Sequence, residues 1–318
     1  TCPLLNFLYS IYGLGMNLRQ FFGIVELRTK IVSLSTFFIS LLYVLWRQGQ
    51  VSPLRASLVC AAALAVDMGT TGFNSYFDWY RNVDDKRFNR EDGKVIIHEG
   101  VPPGAALVAS LGCYAVAIVL GIILTMLAGP FVLALGSLSM LVGFLYSGGP
   151  RPISSTPAGE LFAGGFLGSA FFLINVYILT SNVAPSDFLA SLPQSLFIGA
   201  ILSTNNACDI EGDKAAGRRT LAIVSGKKMA PWLVYMQLAA GVLLLAVLGV
   251  SGQLPTAVAV STIPASAMAF KLLREMHIRG YRHESKEASM GGISKVFTVM
   301  SAAQGVGLVV GIIGTMQG

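Results

Sequence analysis

Nine apolar runs, each close to twenty residues long, constrain this chain more than any other feature of its sequence. A helix needs about 20 mostly apolar residues to cross the hydrocarbon layer of a bilayer. None of the runs alternates with a period of two residues, as the strands of an outer-membrane barrel do. The runs therefore predict an all-α, polytopic membrane protein with nine transmembrane helices. They cover residues 30–47, 54–78, 103–127, 129–148, 159–181, 186–208, 229–250, 254–273 and 294–316.

Composition excludes the main soluble alternatives. Of the 318 residues, 54% are hydrophobic and 12% are charged, and that charged share is about half of what a soluble domain carries. Intrinsic disorder is excluded as well, because it requires low hydrophobicity and high charge. The four cysteines, Cys2, Cys60, Cys113 and Cys208, show no CxxC spacing. They therefore predict neither a disulfide framework nor a zinc site.

The lysines and arginines predict the orientation in the membrane. Twenty of the 22 precede the first run or lie on the same side in alternate connections, and only Arg47 and Arg55 lie on the other side. Because Lys and Arg concentrate in cytoplasmic loops, we expect the N-terminus in the cytoplasm and the C-terminus outside. The net charge of +6 then reflects topology, and no nucleic-acid partner is expected.

Long charged connections on the predicted cytoplasmic side indicate where function resides. Residues 79–102, 209–228 and 274–293 are expected to form loops that cap the bundle on that side. We expect a single transmembrane domain over residues 21–318. Residues 1–20 are expected to form an N-terminal extension or an interfacial segment.

Two acidic motifs end the second and the sixth apolar runs. Residues four apart project from one face of a helix, and the two runs cross the membrane in the same direction. Both motifs therefore reach the same face of the membrane. They are Asn74-x3-Asp78-x5-Asp84 and Asn205-Asn206-x2-Asp209-x3-Asp213.

The motifs predict a site for divalent cations. Carboxylates that face each other without a cation repel, whereas Mg²⁺ binds one or two carboxylates and completes its shell with water and substrate phosphates. We therefore expect Asp78, Asp84, Asp209 and Asp213 to bind Mg²⁺. The alternative is that each cluster is only a solvated helix end, but carboxylates in membrane segments are costly and usually functional.

Positive side chains in the loops predict the binding of a diphosphate. Lys94 follows the first motif, Lys214, Arg218 and Arg219 follow the second, and Arg151 lies in the segment Gly148–Pro152. Lys and Arg bind phosphate oxygens through several N–H donors. Of these side chains we expect Lys94, Arg151, Lys214 and Arg219 to contact the substrate; the alternative for each is topological anchoring.

Two further acidic residues lie next to the motifs. Asp67 precedes Asn74 by seven residues and Asp78 by eleven, which places it on the same helix face. It is expected either to orient an acceptor substrate or to bond a neighbouring helix. Glu160, at the start of the fifth run, is either a helix cap or a site residue.

The paired motifs resemble those of the UbiA superfamily of intramembrane prenyltransferases, and the resemblance covers most of residues 20–316. The nine predicted spans and the inside N-terminus are also similar. Three stretches are similar to one branch, the 1,4-dihydroxy-2-naphthoate polyprenyltransferases (the MenA branch). These stretches are Tyr146–Pro152, Thr156–Phe162 and Asp209–Ala222.

The resemblance implies Mg²⁺-dependent transfer of a polyprenyl group from a polyprenyl diphosphate to an aromatic acceptor, within a central cavity of nine helices. Its branch implies 1,4-dihydroxy-2-naphthoate as the acceptor, in menaquinone biosynthesis. It also implies an integral protein of the bacterial cytoplasmic membrane whose active site faces the cytoplasm. In that reaction Asn74 and Asn206 would complete the metal shell. Aromatic candidates for the cavity wall are Tyr76, Phe77, Tyr146 and Phe162.

Other readings stay open. Within the superfamily the acceptor could instead be 4-hydroxybenzoate, homogentisate, chlorophyllide, haem or a lipid alcohol. A secondary transporter also gathers polar residues inside a helix bundle. Against a transporter, the polar residues of this chain lie at helix ends on one face, with no polar path across the membrane.

Overall fold

The computed structural model describes residues 16–81 and 95–317, and within these two ranges every element is a helix. Nine helices of 17 or more residues in the described ranges follow the nine predicted runs. Their bounds are α1 Ile31–Gln48, α2 Pro53–Tyr80, α3 Pro103–Ala128, α4 Phe131–Ser147, α5 Gly159–Thr180, α6 Pro185–Cys208, α7 Ala230–Val250, α8 Thr256–Arg279 and α9 Lys286–Gln317. The predicted site residues Asp84 and Lys94, and residues 1–15, lie outside the described residues.

Seven of the helices in the described ranges are long and apolar enough to cross a membrane. The other two long helices are α4, which is apolar but has only 17 residues, and α6, which is more polar. Helix α6 lies within the bundle, packed on α5, α7 and α9. Its buried Gln194 donates to Gln304 of α9 at 2.9 Å, so a polar helix is satisfied by its neighbours. The prediction of an all-helical, multi-span membrane protein is confirmed at this level.

Turn chemistry at the α1–α2 connection shows why the helices end where they do. Helix α1 ends before Gly49, which adopts a left-handed φ of 73°, the conformation that glycine accepts at no steric cost. Helix α2 begins with Pro53 in its first turn, and the Ser52 hydroxyl accepts a hydrogen bond from the Arg55 N–H. Both are signals that the sequence carries.

The connection between α8 and α9 corrects one prediction. Residues 274–293 were expected to form a loop, but α8 continues to Arg279 and α9 begins at Lys286, leaving only residues 280–285 between the two helices. Charged residues such as Lys and Glu are good helix formers. A helix that leaves the apolar layer can therefore continue where the hydropathy pattern ends.

Close packing between α5 and α6 depends on small residues. Gly164 and Gly168 of α5 lie against the backbone of Ser195, where an added Cβ would clash. Small residues let membrane helices approach closely. Directly after Gly164, α5 contains a π-helical turn over Gly165–Ala170, which includes Gly168; such turns are often found at functional sites.

Two arginines next to the α1–α2 connection join the helices at one end of the bundle through hydrogen bonds and an ion pair. Arg55 donates to the carbonyl oxygens of Leu127 in α3 and Ile178 in α5, near the C-terminal ends of both helices. Arg47 pairs with the buried carboxylate of Asp187 in α6 at 3.2 Å. These contacts give a structural reason for Arg47 and Arg55, the two cations that the charge pattern places opposite the other twenty.

A short helix, Leu18–Ile24, packs on the other end of the bundle. Asn17 and Gln20 form a capping box at its start. Its Ile24 is buried, and the Ile24 carbonyl accepts a hydrogen bond from Ser75 of α2 at 3.0 Å. The expected boundary at residue 20 thus falls within this helix.

Candidate functional site

A cavity of about 660 Å³ lies between helices α1 to α6 and α9. At one end, here called the acidic end, it is lined by Asn74, Asp78, Asn205, Asp209 and Asp213. The C-terminal ends of α2 and α6 therefore open onto one space, as the two motifs predict.

Helix α2 presents Asp78 to the acidic end in a fixed orientation. The Asn74 amide donates to Asp78 Oδ2 at 2.7 Å, and Asn74 Oδ1 accepts a hydrogen bond from the Ser147 hydroxyl at 2.8 Å. The guanidinium of Arg81 donates to the carbonyl oxygens of Ser147 and Gly149. The spacing of four residues brings Asn74 and Asp78 together, and α4 locks the pair.

The second motif bends at its first aspartate. Helix α6 ends at Cys208, and a new helix, Ile210–Ala215, begins after Asp209. The Asp213 N–H still donates to the Asp209 carbonyl at 2.8 Å, so the two carboxylates remain one turn apart. Asp209 is held by two side chains, one from the start of α9 and one from the connection before it: Lys286 Nζ lies 2.6 Å from Oδ2, and His283 Nδ1 lies 3.2 Å from Oδ1.

Asp213 pairs with Arg218. The guanidinium donates to Asp213 Oδ1 at 2.9 Å and to the Ser154 carbonyl at 2.8 Å. Burial raises the pKa of the Asp213 carboxyl above its ordinary value, while the charge of Arg218 opposes that rise. The other oxygen, Oδ2, is buried and accepts no hydrogen bond from any described residue.

The donor set fits a divalent cation. Three carboxylates and two amides line the acidic end, and Asp213 offers a buried oxygen without a partner among the described residues. No three acidic, His or Cys side chains in residues 16–81 and 95–317 cluster tightly enough to form a complete metal site. Mg²⁺ does not require such a cluster, because it takes one or two carboxylates together with water and substrate phosphates.

Six of the predicted site residues lie on the cavity wall: Asp67, Asn74, Asp78, Tyr146, Asp209 and Asp213. Asn206 and Glu160 are buried away from it and bond each other, Asn206 Nδ2 donating to Glu160 Oε1 at 2.9 Å. Asn205 lines the cavity, whereas the neighbouring Asn206 turns to Glu160. The resemblance had implied Asn206 for the metal shell.

Three of the cations predicted to contact the diphosphate lie away from the cavity wall, and their contact with substrate stays a prediction. Arg151, Lys214 and Arg219 are exposed and lie outside the cavity wall. Arg218 lines the cavity instead. Gly217, at φ 72°, reverses the chain after the short helix, and the Arg218 N–H returns to the Asp213 carbonyl. Gly217 was therefore the signal in the sequence that the chain reverses and that Arg218 returns toward Asp213.

Two residues at and just before the start of α9 were not singled out from the sequence. His283 and Lys286 are 74 and 77 residues beyond Asp209, and no local spacing links them to it. Their role follows only from the packing of α9 on α6. Both lie in what was expected to be a cap loop, where Lys286 was interpreted as topological.

The end of the cavity opposite the acidic end, here called the apolar end, is lined by buried Val59, Leu124, Val132 and Ile178 from four different helices. Along α2, Val59 and Asp78 are separated by nineteen residues, or about 28 Å at the α-helical rise. Between the two ends the rings of Phe162 and Phe166 stack with their centroids 5.9 Å apart.

Known proteins are similar to this chain in sequence and in fold. Residues 33–294 match the UbiA prenyltransferase family. The 1,4-dihydroxy-2-naphthoate octaprenyltransferase of Bacillus subtilis (strain 168) is 38% identical over 173 residues, which cover 54% of this chain and 55% of that protein. The enzyme of the same name from Mycobacterium tuberculosis is 30% identical, over 54% of this chain and 58% of that protein. The chain thus spans little more than half the length of these two relatives.

Among solved structures, a UbiA homolog from Archaeoglobus fulgidus bound to GPP and Mg²⁺ superposes with a TM-score of 0.64. The match covers 89% of this chain and 99% of that one at 13% identity, so it shows the fold. The family match, by contrast, extends from α1 into α9 and takes in both acidic motifs. On that match the chain belongs to the UbiA prenyltransferase family.

Proposed function

We propose that this chain transfers a polyprenyl group from a polyprenyl diphosphate to an aromatic acceptor, with 1,4-dihydroxy-2-naphthoate as the acceptor. One observation carries the proposal: the paired acidic helix ends open onto a single cavity whose other end is apolar. A polyprenyl diphosphate has the same two parts, an anionic head and a hydrocarbon tail. The names of the Bacillus and Mycobacterium relatives supply the acceptor.

The head group would bind at the acidic end. Asp78, Asp209 and Asp213 would hold Mg²⁺, with Asp84 as a further ligand, and the bound metal would neutralise the charge of the departing diphosphate. Arg218 and Lys286 line the same end and would donate to phosphate oxygens. Each now pairs with an aspartate, so substrate binding exchanges one anionic partner for another.

The reaction breaks the bond between the allylic carbon and the diphosphate oxygen and forms a bond from that carbon to a ring carbon of the acceptor. The diphosphate takes the electron pair of the broken bond, and the ring then loses a proton or CO₂. The apolar wall keeps water away from the reacting carbon. Ring faces on the wall, those of Tyr146 and Phe162, would stabilise its positive charge.

We infer that the chain crosses the membrane nine times, counting α4 and α6, as one domain over residues 21–318. The acidic end faces the cytoplasm in this arrangement, because twenty of the 22 lysines and arginines lie on that side. The arrangement fits the bacterial cytoplasmic membrane, where a diphosphate head could enter from the cytoplasm while the tail stays in the lipid layer.

An acceptor panel tests the proposal. The purified chain in lipid nanodiscs would receive geranylgeranyl diphosphate, Mg²⁺ and one acceptor, and product masses would be read by mass spectrometry. We expect an adduct of 1,4-dihydroxy-2-naphthoate, whose mass shows whether CO₂ is lost, and no adduct with EDTA present. Transfer only to 4-hydroxybenzoate, homogentisate or a lipid alcohol would replace the acceptor, and no transfer to any acceptor would reject the proposal.

A further inference from the structure

A second polar cluster lines the cavity away from the acidic end. Asp67 of α2 pairs with Lys30 at 2.7 Å and accepts a hydrogen bond from the Ser33 hydroxyl at 2.5 Å. Lys30 also donates to the Thr71 hydroxyl at 2.7 Å. Asp67, Ser33, Thr70 and Thr71 all face the cavity. The cluster joins the start of α1 to the middle of α2.

The ion pair between Lys30 and Asp67 is more deeply buried than charged side chains without a function usually are. The Lys30 side chain is 3% exposed and that of Asp67 is 14% exposed. Removing both charges from water costs about as much as their attraction returns, so such pairs are weak evidence for stability. Ionisable groups within membrane helices usually mark a substrate path.

Asp67 keeps unused hydrogen-bonding capacity. A carboxylate can accept about four hydrogen bonds, and among the described residues Lys30, Ser33 and a long contact from Thr71 account for three. Lys30 is absent from the cavity wall, whereas Asp67 is part of it. The group of the ion pair that faces the cavity is therefore the Asp67 carboxylate, a hydrogen-bond acceptor. Lys30 lies behind Asp67 as its counter-ion.

Spacing along α2 relates this cluster to the acidic end. Asp67 and Asp78 are eleven residues apart, about 16 Å at the helical rise. A diphosphate held at Asp78 would fill only part of that distance. The remainder leaves room for the hydroxylated ring of an acceptor, whose reacting carbon meets the prenyl group and whose nearby hydroxyl reaches Asp67.

We propose that the cluster Lys30–Ser33–Asp67–Thr71 is the polar end of the acceptor site, where Asp67 accepts a hydrogen bond from an aromatic hydroxyl. This inference rests on the proposed function and names the residue that would bind a hydroxyl of the aromatic acceptor. The sign of the charge makes the choice: a carboxylate on the acceptor would be repelled by Asp67, whereas a phenolic O–H is a donor. Asp67 is thus a specificity-determining residue.

Direct binding tests the inference without any transfer reaction. The probes are 1,4-dihydroxynaphthalene and its dimethyl ether, and geranyl thiolodiphosphate serves as the donor analogue. We expect Asp67→Asn to weaken dihydroxynaphthalene binding roughly 10- to 100-fold, the range for a hydrogen bond to a charged group. Binding of the dimethyl ether and of the donor analogue should stay within about twofold of the unmodified chain, a change too small to represent a lost hydrogen bond.

The chain offers a matched control in Asp187, whose side chain is 7% exposed and pairs with Arg47 away from the cavity wall. Asp187→Asn should lower the melting temperature as Asp67→Asn does, with no change in acceptor affinity. Equal weakening of all three probes by Asp67→Asn would show a structural role and overturn the inference, as would unchanged binding of the dihydroxy compound.

Turnover of the unmodified chain separates the two claims. Prenyl transfer by the unmodified chain with unaltered acceptor affinity in Asp67→Asn would reject the inference alone. Hydroxyl-dependent binding at Asp67 without any prenylated product would keep the site and reject the proposed function.

Discussion

The two ends of the helix bundle use the same chemistry for different purposes. At one end Arg47 pairs with Asp187 at 3.2 Å, and Tyr43 donates to the same carboxylate at 2.7 Å. At the acidic end Lys286 pairs with Asp209 at 2.6 Å. The first group lies between packed helices, and the second lies on a cavity wall. An ion pair alone therefore says little about function.

What distinguishes the ends is how much bonding capacity they hold in reserve. Each of the two Asp187 oxygens has a partner within the fold: Oδ1 accepts from Tyr43 and Arg47, and Oδ2 accepts from the Ala184 N–H. Asp213 keeps a buried oxygen without a partner among the described residues. Such an oxygen costs free energy to bury, and a ligand that fills it recovers that cost.

The largest expected effect separates the carboxylates of the two ends. Asp209→Ala should lower prenyl-transfer turnover at least about 100-fold, the size of effect seen when an enzyme loses one group that stabilises charge in the transition state. Asp187→Ala should lower the melting temperature and leave turnover per folded molecule near that of the unmodified chain. Turnover from radiolabelled polyprenyl diphosphate and a thermal melt measure the two. Equal loss of turnover in both variants would abolish the distinction.

The cations should divide in the same way, with a smaller effect. Arg218→Gln removes a donor to the diphosphate and leaves Asp213 without its counter-ion, so turnover should fall roughly 10- to 100-fold. Arg47→Gln removes a cation whose contacts are structural, and it should affect stability alone. A rise in the KM for the donor in Arg218→Gln, absent from Arg47→Gln, would sharpen the assignment; the reverse pattern would contradict it.

A larger side chain in the apolar part of the cavity should change which donor length the protein accepts. Gly121 of α3 lines this part, and a Cβ added there meets no atom within 4 Å. Gly121→Leu should lower the ratio of geranylgeranyl to geranyl transfer about tenfold, because a small change of pocket size discriminates on this scale. Gly112→Leu, on the same helix with equally open space but away from the cavity, is the control. Competition between the two donors, read by mass, gives the ratio, and identical ratios in both variants would place the tail elsewhere.

The smallest effect is expected from the asparagines. Asn74→Ala frees Asp78 from its fixed orientation and should lower turnover about fivefold to tenfold, the value of one hydrogen bond. Asn175 is also buried and donates to Ser40 at 2.9 Å within the helix packing. Asn175→Ala should therefore affect the thermal melt more than turnover. Initial rates at saturating donor measure turnover in the two variants. A slower rate in Asn175→Ala alone would contradict the role given to Asn74.

Much of this architecture could be predicted from the sequence because its signals are local. The length of the apolar runs predicts the helices, and the spacing of four residues predicts that Asn74 and Asp78 meet. The same spacing places Asn205 on the face of Asp209 and Asp213, and all three line the cavity. The choice of Asn206 for the metal shell came from the family resemblance, and the side chain of Asn206 instead bonds Glu160 of α5.

The cationic side of the site was harder to predict for a related reason. Lysine and arginine serve both topology and phosphate binding in such a chain, so sequence position alone does not separate Arg218 from Arg219. Lys30 and Lys286 were interpreted as topological, and each proves to pair with a carboxylate on the cavity wall. The information lies in contacts 37 and 77 residues apart along the chain.

In the nine-span arrangement proposed above, the short helix α4 has a consequence for the surrounding lipid. Its 17 residues extend about 26 Å, less than the roughly 30 Å of a typical hydrocarbon layer, while α2 and α3 beside it have 28 and 26 residues. A bilayer adapts to a short helix by becoming thinner next to it. Acyl chains on that flank would therefore be compressed, and bilayers of shorter-chain lipids would hold the protein with less deformation than thick, sterol-rich ones.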